Sequence, residues 1–468
     1  MDWLGMLAGA HGSRAVMLVG ALTLAISACV AALRRRSPQT HRRGVLLLGG
    51  ALAQRSGIRL RRAGSLSIAG IAIPAADETK HFKLIGTTGT GKSTAIRELI
   101  GGALERGDRA VIADPDGGYQ RRFYDRRRGD VILNPFERHA VKWDLFAEIH
   151  HAYDVEQLAS GLIPSSNDAA ASEWRGYART FLTAVVRRCH MEGWRDPEEL
   201  WRLLAVASSE ELRPLVAGTP AQPFLEPENA RMFGSIRAVT GSAVAALEYI
   251  QAQRTSGFSV RQWVRAADRP GLLFIPYKAG QIAAMRSMIA TWLKLAIFEA
   301  MSQPEDQDQR LWFVVDELDA LGAIDGLKDA LARLRKFGGR VVLGFQSIAQ
   351  VSSTYGAGEA QTIVENCGNT LILRCSGSEN GGTSQFASRL IGEREILRRQ
   401  ISRGRDAASG FESRGKRRST NITQTHVTEV AVMPSEIEQM PDHTGYFKSA
   451  SSRAWRNVSF APKRTTSA

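Results

Sequence analysis

Cysteine is scarce in this chain of 468 residues. Its four thiols, Cys29, Cys189, Cys367 and Cys375, stand far apart, with none of the close pairing that a structural zinc site needs. That pattern excludes a disulfide scaffold and fits a reducing compartment with thiols that serve packing. No internal repeat is present, which excludes a solenoid or propeller. Acid is missing altogether from Arg34 to Arg62, a stretch rich in arginine. Long apolar runs are few. "GVLLLGGAL" (44–52) is too short to cross a bilayer, and the apolar helix predicted after Gly280 is interrupted by Arg286 and Lys294. What the chain has in excess is positive charge: a formal net charge of +14 and an isoelectric point near 10.0. Such a surplus implies an anionic partner, either nucleic acid or an acidic membrane face.

One run is long enough to span a membrane. "AVMLVGALTLAISACVAAL" (15–33) is uncharged, close to the ~20 residues a bilayer requires, and "RRRSPQTHRR" follows at once. A cleaved signal peptide carries its positive charge before the apolar run, but here it lies behind. The positive-inside rule therefore predicts a retained anchor over residues 1–36, with the bulk of the chain on the cytoplasmic side.

Beyond the anchor the pattern is α/β. Strand "HFKLIG", a glycine-rich loop, helix "STAIRELIGGALERG" and strand "RAVIADPDGG" form a βαβ unit within residues 37–149. The strand signal then stops. Residues 150–255 carry helical spacing throughout and read as an all-α insertion. Strands return in 256–468, at "PGLLFIPYK", "RLWFVVDE", "RVVLGFQ" and "NTLILRCS". Residues 398–424 lose periodicity and are basic, the signature of a mobile loop.

Two motifs carry chemistry. "GTTGTGKS" (Gly86–Ser93) matches G-x-x-x-x-G-K-[ST] and has the strand before it and the helix after it that the motif requires. Gly86, Gly89 and Gly91 let the backbone curl, so that the N–H groups of Gly86, Thr87, Thr88, Gly89, Thr90 and Gly91 face phosphate oxygens. Lys92 reaches the β- and γ-phosphates, the Ser93 hydroxyl ligates Mg²⁺, and Thr94 stands next to it. The second motif is an apolar strand ending in Asp316 and Glu317. With a nucleotide present, Asp316 suits Mg²⁺ and Glu317 suits the attacking water. ATP and Mg²⁺ are the implied ligands. Asp319 and Asp325 suit the capping of the next helix. Asp114 ends the second strand on the ligand-binding edge of the sheet, where it can face Mg²⁺ shell water or cap its own turn. Arg335 lies off the apolar face of the helix that follows Asp325. It is either solvated or, in a ring ATPase, placed in a neighbour's site. Gln346 ends the next strand and can sense the γ-phosphate or satisfy local backbone.

With these residues in view, the chain resembles the type IV secretion coupling proteins of the TraD/TrwB type. The resemblance rests on the phosphate loop, the "ADPDGGYQRRFYDRRRGDVILNPFERHAVKWDLFAE" segment, "VVDELDALG…LRKFGG…GFQS" and "ENCGNTLILR" in register, and runs from about residue 60 to "GYFKSASSRAW". It implies a RecA-like P-loop NTPase core with an inserted all-α domain and an N-terminal transmembrane helix. It also implies a homo-hexameric ring and DNA-stimulated ATP hydrolysis that delivers single-stranded DNA with its relaxase to the type IV secretion channel during conjugation. By the same resemblance Lys92 and Ser93 are Walker A, Asp316 and Glu317 Walker B, Arg335 the arginine acting in trans, with Arg333 and Arg340 as rivals, and Gln346 the sensor. Two departures stand out. Family members commonly have two spans where one is found here, and the long acidic C-terminal extension of some members is lacking. Two other functions fit parts of the pattern. An FtsK-like DNA translocase wants a terminal winged-helix reader that is not apparent, and a membrane receptor for the relaxase complex would use ATP only as an assembly switch.

Overall fold

The computed structural model describes residues 39–49, 65–166, 168–377, 382–405 and 418–460. The expected anchor over 15–33 lies outside them. Among the described residues no helix is long and apolar enough to cross a membrane.

Five strands are apolar along nearly their whole length, and every residue of four of them is buried: β2 (Phe82–Ile85), β5 (Leu272–Tyr277), β6 (Leu311–Val315) and β7 (Gly339–Phe345). β3 (Arg109–Pro115) is buried except at its last residue. Runs of this kind, without polar alternation, belong in a parallel sheet covered on both faces. They form one ten-stranded sheet with β1 (Leu46–Leu48), β4 (Val131–Ile132), β8 (Asn369–Ile372), β9 (Thr444–Lys448) and β10 (Ala454–Ser459), in the order β1-β10-β9-β8-β2-β7-β6-β3-β5-β4. The strands from β8 to β4 are parallel, whereas β9 runs antiparallel to β8 and β10 antiparallel to β9.

Helix Lys92–Glu105 covers one face. Its Ile96, Leu99 and Ile100 pack with Leu84, Phe274, Trp312 and Val342. Helix Ile282–Ser302 is buried along most of its length. Its Lys294 is buried and bonds Asp325 and Ser160, each at 2.6 Å. Asp325 is therefore not a helix cap, contrary to expectation. The following helix, Leu327–Arg333, starts at Gly326 with no side-chain cap, so Asp319 does not serve it either. Competition from a buried lysine overrides the local capping signal.

Between β4 and β5 lies a group of helices: Ala152–Leu162, Ala169–Met191, Pro197–Ala205, Ser209–Val216, Ala230–Val244 and Ala246–Gln251. Asp168, Asp196 and Ser208 accept backbone N–H bonds as their N-caps. Phe181 meets Phe233 edge-on in their core, ring centroids 5.2 Å apart. The chain enters and leaves this region through a parallel pair, Lys142–Trp143 with Gly257–Phe258. Buried Glu148 pins the exit. It accepts from Trp143 Nε1 (2.9 Å), Ser259 Oγ (3.0 Å), Val260 N (2.7 Å) and Arg261 N (3.1 Å).

A second unit contains strand Gln39–Gly44 and two thirteen-residue strands, Glu393–Arg405 and Arg418–Val430, in one antiparallel sheet. Residues 398–405 and 418–424 are thus strand, where sequence periodicity predicts a mobile loop. Thirteen backbone pairings join the two arms, and antiparallel ladders of this length need no apolar alternation in both arms.

Candidate active site

The parallel strands end along one edge, and their register decides what meets there. Phe345 pairs with Ile85, Val315 with Leu343 and with Ala113. Gly86 and Gln346 therefore share one row, and Asp316 and Asp114 share another, level with Gly344 two residues earlier on β7, so all four gather at the same edge across four adjacent strands. β7 lies between the phosphate-loop strand β2 and the acid-bearing strand β6, so Gln346 stands between the loop and the acids.

The loop itself is tied twice at its start. Gly86 N donates to Phe345 O (3.3 Å), and Thr87 N donates to Arg374 O (2.9 Å). Thr90 Oγ1 closes the turn on Thr87 O at 2.7 Å. Gly89 and Gly91 have φ of 79° and 116°, backbone that other residues rarely adopt, which is why the motif needs glycine there. The antiparallel β9 brings its entry turn to the same edge. His443 N donates to Thr90 O at 2.9 Å, and a Cβ on Gly91 would stand 3.1 Å from His443 Nδ1. His443 itself has φ of 60°.

Lys92 is buried and donates to Gly86 O (2.5 Å) and Thr87 O (3.3 Å), both carbonyls of its own loop. Burial pushes its ammonium below the usual lysine range, while Asp316 and Glu317 pull it back up. Ser93 Oγ donates to Asp316 Oδ2 at 2.6 Å, so the two residues assigned to the metal touch. Asp316 Oδ1 is buried and has no hydrogen-bond partner. A buried carboxylate oxygen in that state fits a ligand contributed from outside the chain. Among the described residues no group of three or more His, Cys, Asp or Glu side chains is placed to cage a metal. A site of one serine and one carboxylate instead suits Mg²⁺, which keeps waters and takes phosphate oxygens as its other ligands.

Gln346 connects the two motifs. Thr88 Oγ1 donates to Gln346 Oε1, and Gln346 Nε2 donates to Glu317 Oε1, each at 3.0 Å. Burial and neighbouring Asp316 raise the Glu317 carboxyl above its ordinary value, against the Gln346 hydrogen bond. Asp319 is also raised by burial, and its Oδ1 has no partner. Thr94 lies half-buried in the first turn of the helix after the loop.

Asp114 is fully committed to its own turn. Tyr119 N donates to both its oxygens (3.0 and 3.1 Å) and Gln120 N to Oδ2 (2.7 Å). Of the two roles open for it, the capping role is the one present. Tyr119 and His443 are site residues that sequence reasoning missed. "DPDGG" signals the turn that delivers Tyr119, but nothing local signals His443.

The three candidate arginines separate cleanly. Arg340 is buried and bonded to Glu78 Oε2 (3.1 Å), Gln309 O (2.9 Å) and Gly338 O, which removes it from contention as a trans residue. Arg333 and Arg335 are exposed, and neither has an ion-pair partner among the described residues. Arg335 precedes the start of β7, seven strand residues from Gln346, roughly 20 Å at 3.3 Å per residue. It does not reach its own site.

The family model for the type IV secretion-system coupling protein DNA-binding domain matches residues 65–460. The chain belongs to the type IV secretion-system coupling proteins. This coupling protein is 32% identical to coupling protein TraD of Escherichia coli (strain K12) over 376 residues, 79% of the chain and 51% of TraD. It spans about half the length of the curated relatives it matches. Unbound bacterial conjugative coupling protein TrwB, lacking its first 70 residues, superposes with a TM-score of 0.80 at 31% identity, covering 91% of this chain and 94% of TrwB. TrwB in complex with ADP and Mg²⁺ gives a TM-score of 0.78 at 31% identity over 91% and 94%. The core of this coupling protein is the α/β P-loop fold, with the strand-end edge described above.

Proposed function

We propose that the chain is a membrane-anchored, DNA-stimulated ATPase that couples a relaxase–single-stranded DNA complex to a type IV secretion channel in conjugation. The observation that carries this reading is the hydrogen-bonded path Thr88–Gln346–Glu317, which links the phosphate loop to the acid placed for water. A chain that only bound nucleotide would need the loop and Lys92 but not an intact acid held by a reporting amide. Lys92 leaves its carbonyl partners for the β- and γ-phosphates. Ser93 and Asp316 would hold Mg²⁺, which supplies neutralisation of charge on the phosphate oxygens. Glu317 orients the attacking water and, with its raised proton affinity, accepts its proton. Gln346 senses the γ-phosphate beside Thr88 and shifts its hold on Glu317.

Arg335 supports assembly. It is exposed, unpaired among the described residues and remote from its own site, so its use lies in the site of the next copy in a homo-hexameric ring. The apolar run 15–33 followed by arginines supports a single-pass inner-membrane anchor. The excess of positive charge supports sequence-independent contact with DNA phosphates, and the all-α insertion is the candidate surface for relaxosome proteins. ATP turnover of the full chain, measured with and without single-stranded DNA at a protein concentration that permits rings, tests the reading. Stimulation by DNA, falling steeply between 50 and 200 mM salt, is the expected result. Turnover indifferent to DNA would sink the motor and favour a receptor that uses ATP as an assembly switch.

A further inference from the structure

We propose that Tyr119 is a positioning residue for the metal carboxylate Asp316, and that Asp114 exists at its strand end to deliver Tyr119 to that place. The inference rests on the Mg²⁺–nucleotide reading and deepens it.

β3 and β6 are parallel neighbours, and the Val315–Ala113 pairing sets Asp316 beside Asp114. Two carboxylates at adjacent strand ends would ordinarily compete for one cation. Here they divide the work. Both oxygens of Asp114 are occupied by the backbone N–H groups of Tyr119 and Gln120. Asp116 and Gly117 have φ of 57° and 65°, so the chain reverses at once after β3. Asp116 N donates to Tyr277 O at 2.8 Å, which anchors the turn to β5. The reversal drives the Tyr119 ring into the core, where 1% of the residue is exposed. The Arg97 guanidinium of the phosphate-loop helix lies 5.7 Å from the ring centroid.

The phenol then does something that packing alone would not require. Tyr119 Oη donates to Asp316 Oδ2 at 2.7 Å, alongside Ser93 Oγ at 2.6 Å on the same oxygen. Oδ1 is left buried and unpartnered. A carboxylate gripped by one oxygen presents the other in a fixed direction. The Ser93 hydroxyl is shared, because it has a proton for Asp316 and lone pairs for a metal. Tyr119 is the donor that a metal does not draw on, so it keeps Asp316 aimed whether or not the metal is bound. A phenylalanine would fill the same volume, and a buried hydroxyl is costly unless it bonds. Partners that orient a ligand in this way typically change metal affinity 10- to 100-fold when removed.

The test is Tyr119→Phe in the full chain. Binding of a fluorescent methylanthraniloyl-ADP is measured in EDTA and then as a function of MgCl₂. The expected result is unchanged affinity in EDTA and a half-saturating Mg²⁺ concentration raised about 10-fold or more. A Mg²⁺ titration that coincides with wild type overturns the inference. So does an equal loss of affinity with and without Mg²⁺, which marks a packing role. Should Tyr119→Phe fail to fold, Asp114→Asn keeps the tyrosine and decides by the same criterion: a raised Mg²⁺ requirement supports the inference and an unmoved one overturns it. A wild-type chain whose nucleotide affinity ignores Mg²⁺ overturns the nucleotide reading as well, which distinguishes the two failures.

Discussion

Gly344 sits in β7 directly beside the end of β6, and its replacement by alanine puts the geometry of the acids to a hard test. Val315 pairs with Leu343, and Leu318 N donates to Gly344 O at 2.9 Å, so residue 344 faces Asp316. A Cβ there would stand 2.2 Å from Asp316 O, 2.9 Å from its carbonyl carbon and 3.1 Å from Oδ1. Ordinary contact begins at 3.4 Å, so the backbones must separate by about 1.2 Å. Neither side can yield cheaply, since the nearest atoms are backbone in two central strands. Overpacking of this kind costs about 1–3 kcal/mol. The part forced to move carries Asp316 and Glu317, and a misplacement of about 1 Å at reacting groups lowers turnover on the order of 100-fold. ATP turnover at saturating ATP and Mg²⁺, with a parallel thermal melt, reads both effects. Gly101→Ala is the control. Nothing lies within 4 Å of a Cβ at this helical position, so that variant should be neutral or stabilising by roughly 0.5–1 kcal/mol. Wild-type turnover in Gly344→Ala would refute the claim that the β6–β7 contact sets the position of the acids.

Two further variants separate structure from function. Arg340→Ala should destabilise the chain in urea by about 3 kcal/mol, the low end for a broken buried pair, because Arg106 still holds Glu78 at 2.8 and 2.9 Å. Arg335→Ala should stay within about 0.5 kcal/mol of wild type, as an exposed residue without partners does. Asp114 predicts a pH dependence. Burial raises its carboxyl from 3.8 to about 6, against the N–H bonds of Tyr119 and Gln120. A raised carboxyl binds its proton more tightly in the folded state, so its stabilising contribution is full below pH 4 and is lost as the pH rises to about 6. Compared with Asp114→Asn, wild type should lose up to about 3 kcal/mol over that window, read from melts at pH 4 and pH 7.

What the sequence made legible was whatever is local. The loop Gly86–Ser93 and the acids Asp316 and Glu317 announce themselves because strand, turn and helix sit within a few residues of each other. The pairing of Ser93 with Asp316 could be anticipated from that motif chemistry. Tyr119 could not, because its bond spans 197 residues and depends on β3 lying beside β6. His443 reaches Thr90 only because β9 runs antiparallel to its neighbours. Arg340 and Arg335 look alike on paper, yet the turn at Gly338 and Gly339 sends one into the Glu78 pocket and leaves the other in solvent. The long hairpin Glu393–Arg405 with Arg418–Val430 escaped notice because a ladder of backbone bonds leaves no apolar period to read.

In the proposed ring, each catalytic site is completed by a second copy of the chain. Arg335→Ala and Glu317→Gln full-length chains, each assayed for ATP turnover on single-stranded DNA, should each be inactive, since an arginine supplied in trans is worth about 10³- to 10⁵-fold in kcat. Mixed before assembly, the two should regain turnover, because one subunit contributes Arg335 and its neighbour contributes Glu317. Mixed rings that form yet hydrolyse no ATP would rule out an arginine supplied in trans.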